Sequence, residues 1–207
     1  MNARRILVKG GNGNLCRQLM PLLIERDNRV LSIDRNVPPE NERHREAEYL
    51  ALDITDVIRV SRVLDEYRPD TILHFASLLS SSSEENRESA WNLNATATFH
   101  LLRMAAHKQV QSFFYPSTGA TYAQMVPDPL PEDFPQWPDN LYGVTKVAVE
   151  RLGVYFQAKH NLDFRCLRLP MVISPHAPTS AVSAYASHAF KAAVDGKDFT
   201  FPVSPEA

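Results

Sequence analysis

An α/β fold, with a doubly wound parallel sheet of Rossmann type, is what this 207-residue chain predicts. Three observations carry that prediction. Six short apolar runs alternate with segments of helical period, the pattern of parallel strands joined by crossover helices. A glycine cluster, Gly10-Gly-Asn-Gly13, stands between the first apolar run and the first helical segment. The composition, 44% hydrophobic and 22% charged, is that of one ordinary globular domain.

The elements follow in order. The first strand, residues 4–8, contains the apolar stretch Ile6-Leu-Val8, and the glycines lead from it into a helix over 15–25. Strands are then expected at 29–33 and 47–51, a helix at 57–66, a strand at 71–75 and a long helix at 86–106. The fifth strand, 112–115, ends in Pro116-Ser-Thr118. Between Tyr122 and Pro138 lie five prolines and one tryptophan, which excludes helix or central strand there. A loop of that length over the carboxyl edge of a sheet commonly serves binding. Asp139 and Asn140 are capping candidates for a helix over 141–157, followed by a sixth strand, 164–168, and a helix over 181–194.

Several function classes are disfavoured. A formal net charge of −2 leaves no basic footprint for nucleic acid. No apolar run reaches the 18 residues of a membrane span. The amino-terminal segment reads as a strand rather than a signal peptide. Two distant cysteines, Cys16 and Cys166, suit a reduced cytoplasmic protein without disulfides. Seven histidines without an HxxxH pair, and no CxxC, point away from a structural zinc, so no metal is expected.

The chemistry concentrates at two places. Gly10 and Gly13 would let the backbone approach a pyrophosphate at a helix N-terminus, with Asn12, Asn14 and Leu15 completing the turn. Cys16 stands where a GxxGxxG pattern has its third glycine. Asp34, 21 residues after Gly13, can accept both hydroxyl hydrogen bonds of an adenosine ribose and would repel a 2′-phosphate. That favours NAD over NADP, and the neighbouring Arg35 weakens the preference. Asp53-Ile54 could flank an adenine ring, or Asp-Ile-Thr-Asp56 could be a helix cap; both readings stand. Phe75-Ala-Ser77 offers small residues where a cofactor backbone could pass, while His74 reads as a core histidine.

The second place is Tyr142-Gly-Val-Thr-Lys146. Residues four apart share a helix face. A phenol must drop roughly 3 pKa units to act as a base near neutrality, about 4 kcal/mol of charge stabilisation. An ammonium about 4 Å away can supply up to about 4 kcal/mol at an intermediate dielectric. Tyr155 and Lys159 repeat the spacing about 20 Å further along the helix, away from the ligand-binding edge, and read as surface packing.

Taken with Asn94-Ala-Thr-Ala-Thr98 and Pro116-Ser-Thr118, these segments resemble, in this order, the extended short-chain dehydrogenase/reductase family, also called the NAD-dependent epimerase/dehydratase family. Leu78-Leu-Ser80, Ala90-Trp-Asn92 and Leu162-Asp-Phe-Arg-Cys-Leu-Arg168 are similar to the branch containing short-chain L-threonine 3-dehydrogenase. Leu167-Arg-Leu-Pro170, followed by Pro175, Pro178 and residues 180–187, is similar to D-erythronate dehydrogenase. The resemblance implies an NAD-dependent dehydrogenase. Thr118, Tyr142, Lys146 and Asn94 take the catalytic places. Pro116, Tyr142, Lys146 and Pro170 join the cofactor contacts, and Ser80, Thr118 and Tyr142 face a small hydroxy acid, erythronate- or threonine-like. Met171, where nucleotide-sugar epimerases usually have asparagine, argues against a nucleotide sugar.

The alternatives are a sugar epimerase or dehydratase that recycles its NAD, and a dinucleotide-binding module without turnover. Lys9 departs from the family's usual small hydroxyl residue, as Cys16 does from glycine. Relatives continue for about another hundred residues. Residues 1–175 are therefore expected to form the NAD-binding domain and 176–207 the start of an incomplete substrate lobe. A homodimer is implied through the helices at 86–106 and 141–157.

Overall fold

The computed structural model describes residues 3–122, 126–177 and 184–202. Pro178, residue 180, residues 181–183 of the expected last helix and the end from residue 203 lie outside the described residues. Six strands form one parallel sheet: β1 (Arg5–Lys9), β2 (Arg29–Asp34), β3 (Ala47–Ala51), β4 (Thr71–His74), β5 (Ser112–Thr118) and β6 (Asp163–Leu169). Their order is β3-β2-β1-β4-β5-β6. From β1 the chain winds outward one way and later the other, and a crevice opens where the two directions part.

The helices are α1 (Asn14–Ile24), α2 (Val57–Tyr67), α3 (Ser80–Glu85), α4 (Arg87–Trp91), α5 (Thr98–His107), α6 (Leu141–His160) and α7 (Ala184–Val194). In α1, Cys16, Met20 and Ile24 recur every four residues and bury one face against Ile6, Val8 and Val30. On the other side of the sheet, Leu7, Ile33 and Ile72 pack with Val60 and Leu64 of α2 and with Leu101 and Leu102 of α5. Asp56 caps α2 by accepting from the Arg59 N–H at 3.0 Å, and Arg68 ends it in the left-handed conformation. Asn140 caps α6 through the Gly143 N–H at 2.8 Å, and Asn161 closes it with φ 55°.

Besides α3, a short helix that the periodicity does not announce, two elements differ from expectation. The fifth strand runs through Pro116 to Thr118, because β6 pairs with it as far as Thr118 opposite Leu169. Pro116 costs one donor, and the remaining ladder holds. The single helix expected over 86–106 is instead α4, a π-helical turn over Asn92–Ala97, and α5. Asn94 within that turn is 1% exposed, and its side chain is spent on the Leu78 backbone. The wider turn swings that amide inward, a tertiary demand that helical periodicity does not encode.

Candidate functional site

The carboxyl ends of β1, β2, β4 and β5 converge on one edge. Gly10 follows β1 with φ 80°, a region side chains resist. A Cβ there would lie 2.5 Å from the Ala76 nitrogen, so the first turn and the loop after β4 touch backbone to backbone. A Cβ on Gly13 would meet only the Gly10 carbonyl oxygen, at 3.0 Å, so bare backbone faces outward where α1 begins. No side chain caps α1, and its first N–H groups are available to an anion. Leu15 is half-buried in the first turn of α1. Cys16 fits its place without exposure, and burial pushes its thiol up strongly.

Asp34 accepts the Asn12 N–H at 3.1 Å and the Arg35 N–H at 2.7 Å. Each carboxylate oxygen keeps a further lone pair for a hydroxyl. Asp53 accepts both the N–H and the hydroxyl of Thr55 through one oxygen, each at 2.8 Å, while Asp56 supplies the cap. The helix-cap reading of that segment therefore holds for Asp56, while Asp53 and Ile54 line the cleft. Gly10, Gly13, Asp34, Arg35, Asp53, Ile54, Phe75, Ala76 and Ser77 line one cleft of about 160 Å³. Sequence reasoning did not find Leu52, Leu78 and Leu93, which line it too. A close backbone turn, an uncapped helix start and a carboxylate at the end of β2 fit the pyrophosphate and adenosine of a dinucleotide. A larger concavity of about 640 Å³, bordered by Ala106, Gln111 and Asp163, lies at the opposite edge, where β6 begins.

The second half of the site lies at the end of β5. The Tyr142 hydroxyl comes near the Thr118 side chain. Gly143 makes this possible: a Cβ there would collide with the Ala120 carbonyl oxygen, so the start of α6 rests directly on the turn after β5. Lys146 is buried, donates to the Pro116 carbonyl at 2.8 Å and lies 4.3 Å from the Tyr115 ring centroid. Thr145 donates to the Tyr142 carbonyl at 2.7 Å and meets the Asn94 amide at 3.3 Å. Ser80 opens α3, whose Glu84 accepts the Leu141 N–H at 2.8 Å at the start of α6. Pro170 is exposed beside Gly119 at the rim.

The electrostatics correct one expectation. Sequence spacing makes Lys146 the group that acidifies Tyr142, yet the phenol is pushed up to about 12 by burial, with only the nearby Thr118 side chain opposing. Burial also brings Lys146 down to about 7, Glu150 opposing. Its Nζ lies 5.3 Å from the Tyr142 ring centroid and is committed to the Pro116 carbonyl. His74, fully buried with Nε2 2.9 Å from the Thr98 hydroxyl, is held well below the usual histidine range by burial, then by Lys146 and Lys9. It stands between the two halves of the site.

Behind Lys146 is a network that sequence reasoning missed. Glu150 accepts from the Ser117 hydroxyl, from Gln136 at 3.0 Å and from Arg168 at 2.8 Å. Arg168 in turn donates to the Tyr122 hydroxyl at 2.6 Å. The available signal was Glu150 at four residues beyond Lys146, on the face already carrying Tyr142. Through Gln136 the proline-rich segment is tied to α6. Tyr155, by contrast, is 50% exposed and stacks edge-on against Phe156, as a surface residue would.

The model of the NAD dependent epimerase/dehydratase family matches residues 6–204. The mitochondrial L-threonine 3-dehydrogenase of Sus scrofa is 34% identical over 99% of this chain and 55% of that enzyme. An uncharacterised epimerase/dehydratase of Staphylococcus saprophyticus is 32% identical over 96% of this chain and 63% of that protein. Among solved structures, the L-threonine dehydrogenase of Clostridium difficile superposes with a TM-score of 0.89 at 31% identity, covering 99% of this chain and 65% of that one. The chain thus spans just over half to two thirds of the length of these relatives.

Proposed function

Since the chain belongs to the NAD dependent epimerase/dehydratase family, we propose that it carries the dinucleotide-binding and proton-transfer half of an NAD-dependent dehydrogenase for a small hydroxy acid. The observation that carries this reading is the gathering of Thr118, Tyr142 and Lys146 at the same sheet edge as the glycine turn. Thr118 orients the substrate hydroxyl, and Tyr142 exchanges its proton. Lys146, held on the Pro116 carbonyl, keeps an amine beneath the phenol, and Asn94 pins the loop after β4. NAD supplies the hydride-accepting nicotinamide, and its pyrophosphate and adenosine fit the turn at Gly10–Gly13 and the carboxylate of Asp34. Asp34 favours NAD over NADP.

The threonine dehydrogenases among the relatives support a threonine- or erythronate-like substrate. Residues 1–175 form the cofactor-binding part in this proposal, and 176–207 begin a substrate lobe. Exposed Trp91, Val154 and Tyr155 on α4 and α6 suit a homodimer through those helices. The test is NADH formation from NAD with L-threonine, D-erythronate and related acids. Accumulation with one of them supports the reading. Conversion of a nucleotide sugar without net NADH would replace it with an epimerase, and no turnover despite NAD binding would leave only a binding module.

A further inference from the structure

Lys9 ends β1 on the same sheet face as Leu7, opposite the face that α1 covers. It is 1% exposed, and its Nζ has no hydrogen-bond partner among the described residues. A buried amine with three donors and no acceptor is among the costlier placements a fold can hold. Three titratable groups face it: Asp34 from β2, Asp53 following β3, and His74 from β4. The acids do not pair with it, since their oxygens take the N–H groups of Asn12, Arg35 and Thr55. Lys9 lines the cleft with Asp34, Asp53 and Ile54, on the side away from Thr118 and Tyr142.

We propose that Lys9 is a ligand-binding residue, donating hydrogen bonds to ribose oxygens or ring nitrogens of an adenosine diphosphate moiety in this cleft. The inference rests on the dinucleotide reading given above and adds to it a cation on the cleft floor. Burial brings Lys9 down to about 8, with Asp34 and then Asp53 opposing. In the free chain the amine is therefore partly neutral at pH 8, and an acceptor-rich anion draws a proton onto it from the buffer. Binding is strongest below that pH and weakens as pH rises through it.

The experiment is calorimetric titration of the full chain with ADP-ribose at pH 8, in two buffers of different ionisation enthalpy, for the wild type, Lys9→Met and Lys9→Thr. The wild type should bind with net proton uptake. Both variants should bind at least tenfold more weakly and without uptake, and Lys9→Met should melt higher than wild type in the absence of nucleotide. Variant affinity within twofold of wild type, or the same uptake in a variant, overturns the role of Lys9 and leaves the cleft assignment standing. Should neither variant fold, absence of uptake by the wild type still overturns it. Failure of the wild type to bind ADP-ribose at all overturns both.

Discussion

At the scale of single residues, the site depends on how closely two backbones approach. Tyr142 reaches Thr118 because Gly143 lets α6 rest on the Ala120 carbonyl. Gly143→Ala gains about 1 kcal/mol of helix propensity. It loses about 1–3 kcal/mol by forcing apart a contact whose partner is backbone and cannot rotate away. The clash wins, and we expect a lower urea midpoint together with a larger fall in kcat than in cofactor affinity. Tyr142→Phe keeps the ring and removes the proton; activity with NAD should drop at least about a hundredfold, with NAD binding by calorimetry within about threefold of wild type. Retained turnover would remove Tyr142 from the mechanism. Spacing alone gives Tyr142 and Tyr155 equal standing. Position at the capped start of α6 separates them, and the difference in exposure agrees.

At the scale of elements, Glu150 joins α6, β5, β6 and the proline-rich segment. Burial alone would raise its carboxyl, but hydrogen bonds from Arg168, Ser117 and Gln136 hold it below the usual value. A depressed carboxylate contributes stability that is complete above the unfolded pKa of about 4.3 and is lost as pH falls through the lower folded value. Urea titrations should show this loss below about pH 4.3 in the wild type and a flatter profile in Glu150→Gln. Glu150→Ala, which strands the Arg168 guanidinium, should cost about 3 kcal/mol at pH 7. Unchanged stability would mean that solvent already satisfies Arg168. Strand positions were legible within a residue or two because buried parallel strands are short apolar runs. The extension of β5 through Pro116 was not legible, since proline reads locally as a terminator and only pairing with β6 overrides it.

At the scale of the whole molecule, sheet order brings together residues far apart in sequence. Lys9 neighbours Ile33 on one side and His74 on the other, and Thr118 lies opposite Leu169. The proposed homodimer predicts a sedimenting species near twice the 23.4 kDa of one chain. Val154→Asp should return it to the monomer mass, because Val154 is 58% exposed on α6 and needs no internal contact. A wild type that sediments as a monomer at high concentration would place the function of those helices elsewhere.

By itself the sequence determined the α/β architecture, the glycine turn and the spacing of Tyr142 and Lys146, because apolar period, backbone permissiveness and helix geometry are local properties. Only the tertiary structure decided the electrostatics. It buried Lys9 without a hydrogen-bond partner among the described residues, bound Lys146 to a carbonyl, drove the Tyr142 phenol up and set Glu150 against Arg168. Desolvation depends on what the rest of the chain places around a group, and no spacing along the sequence records that.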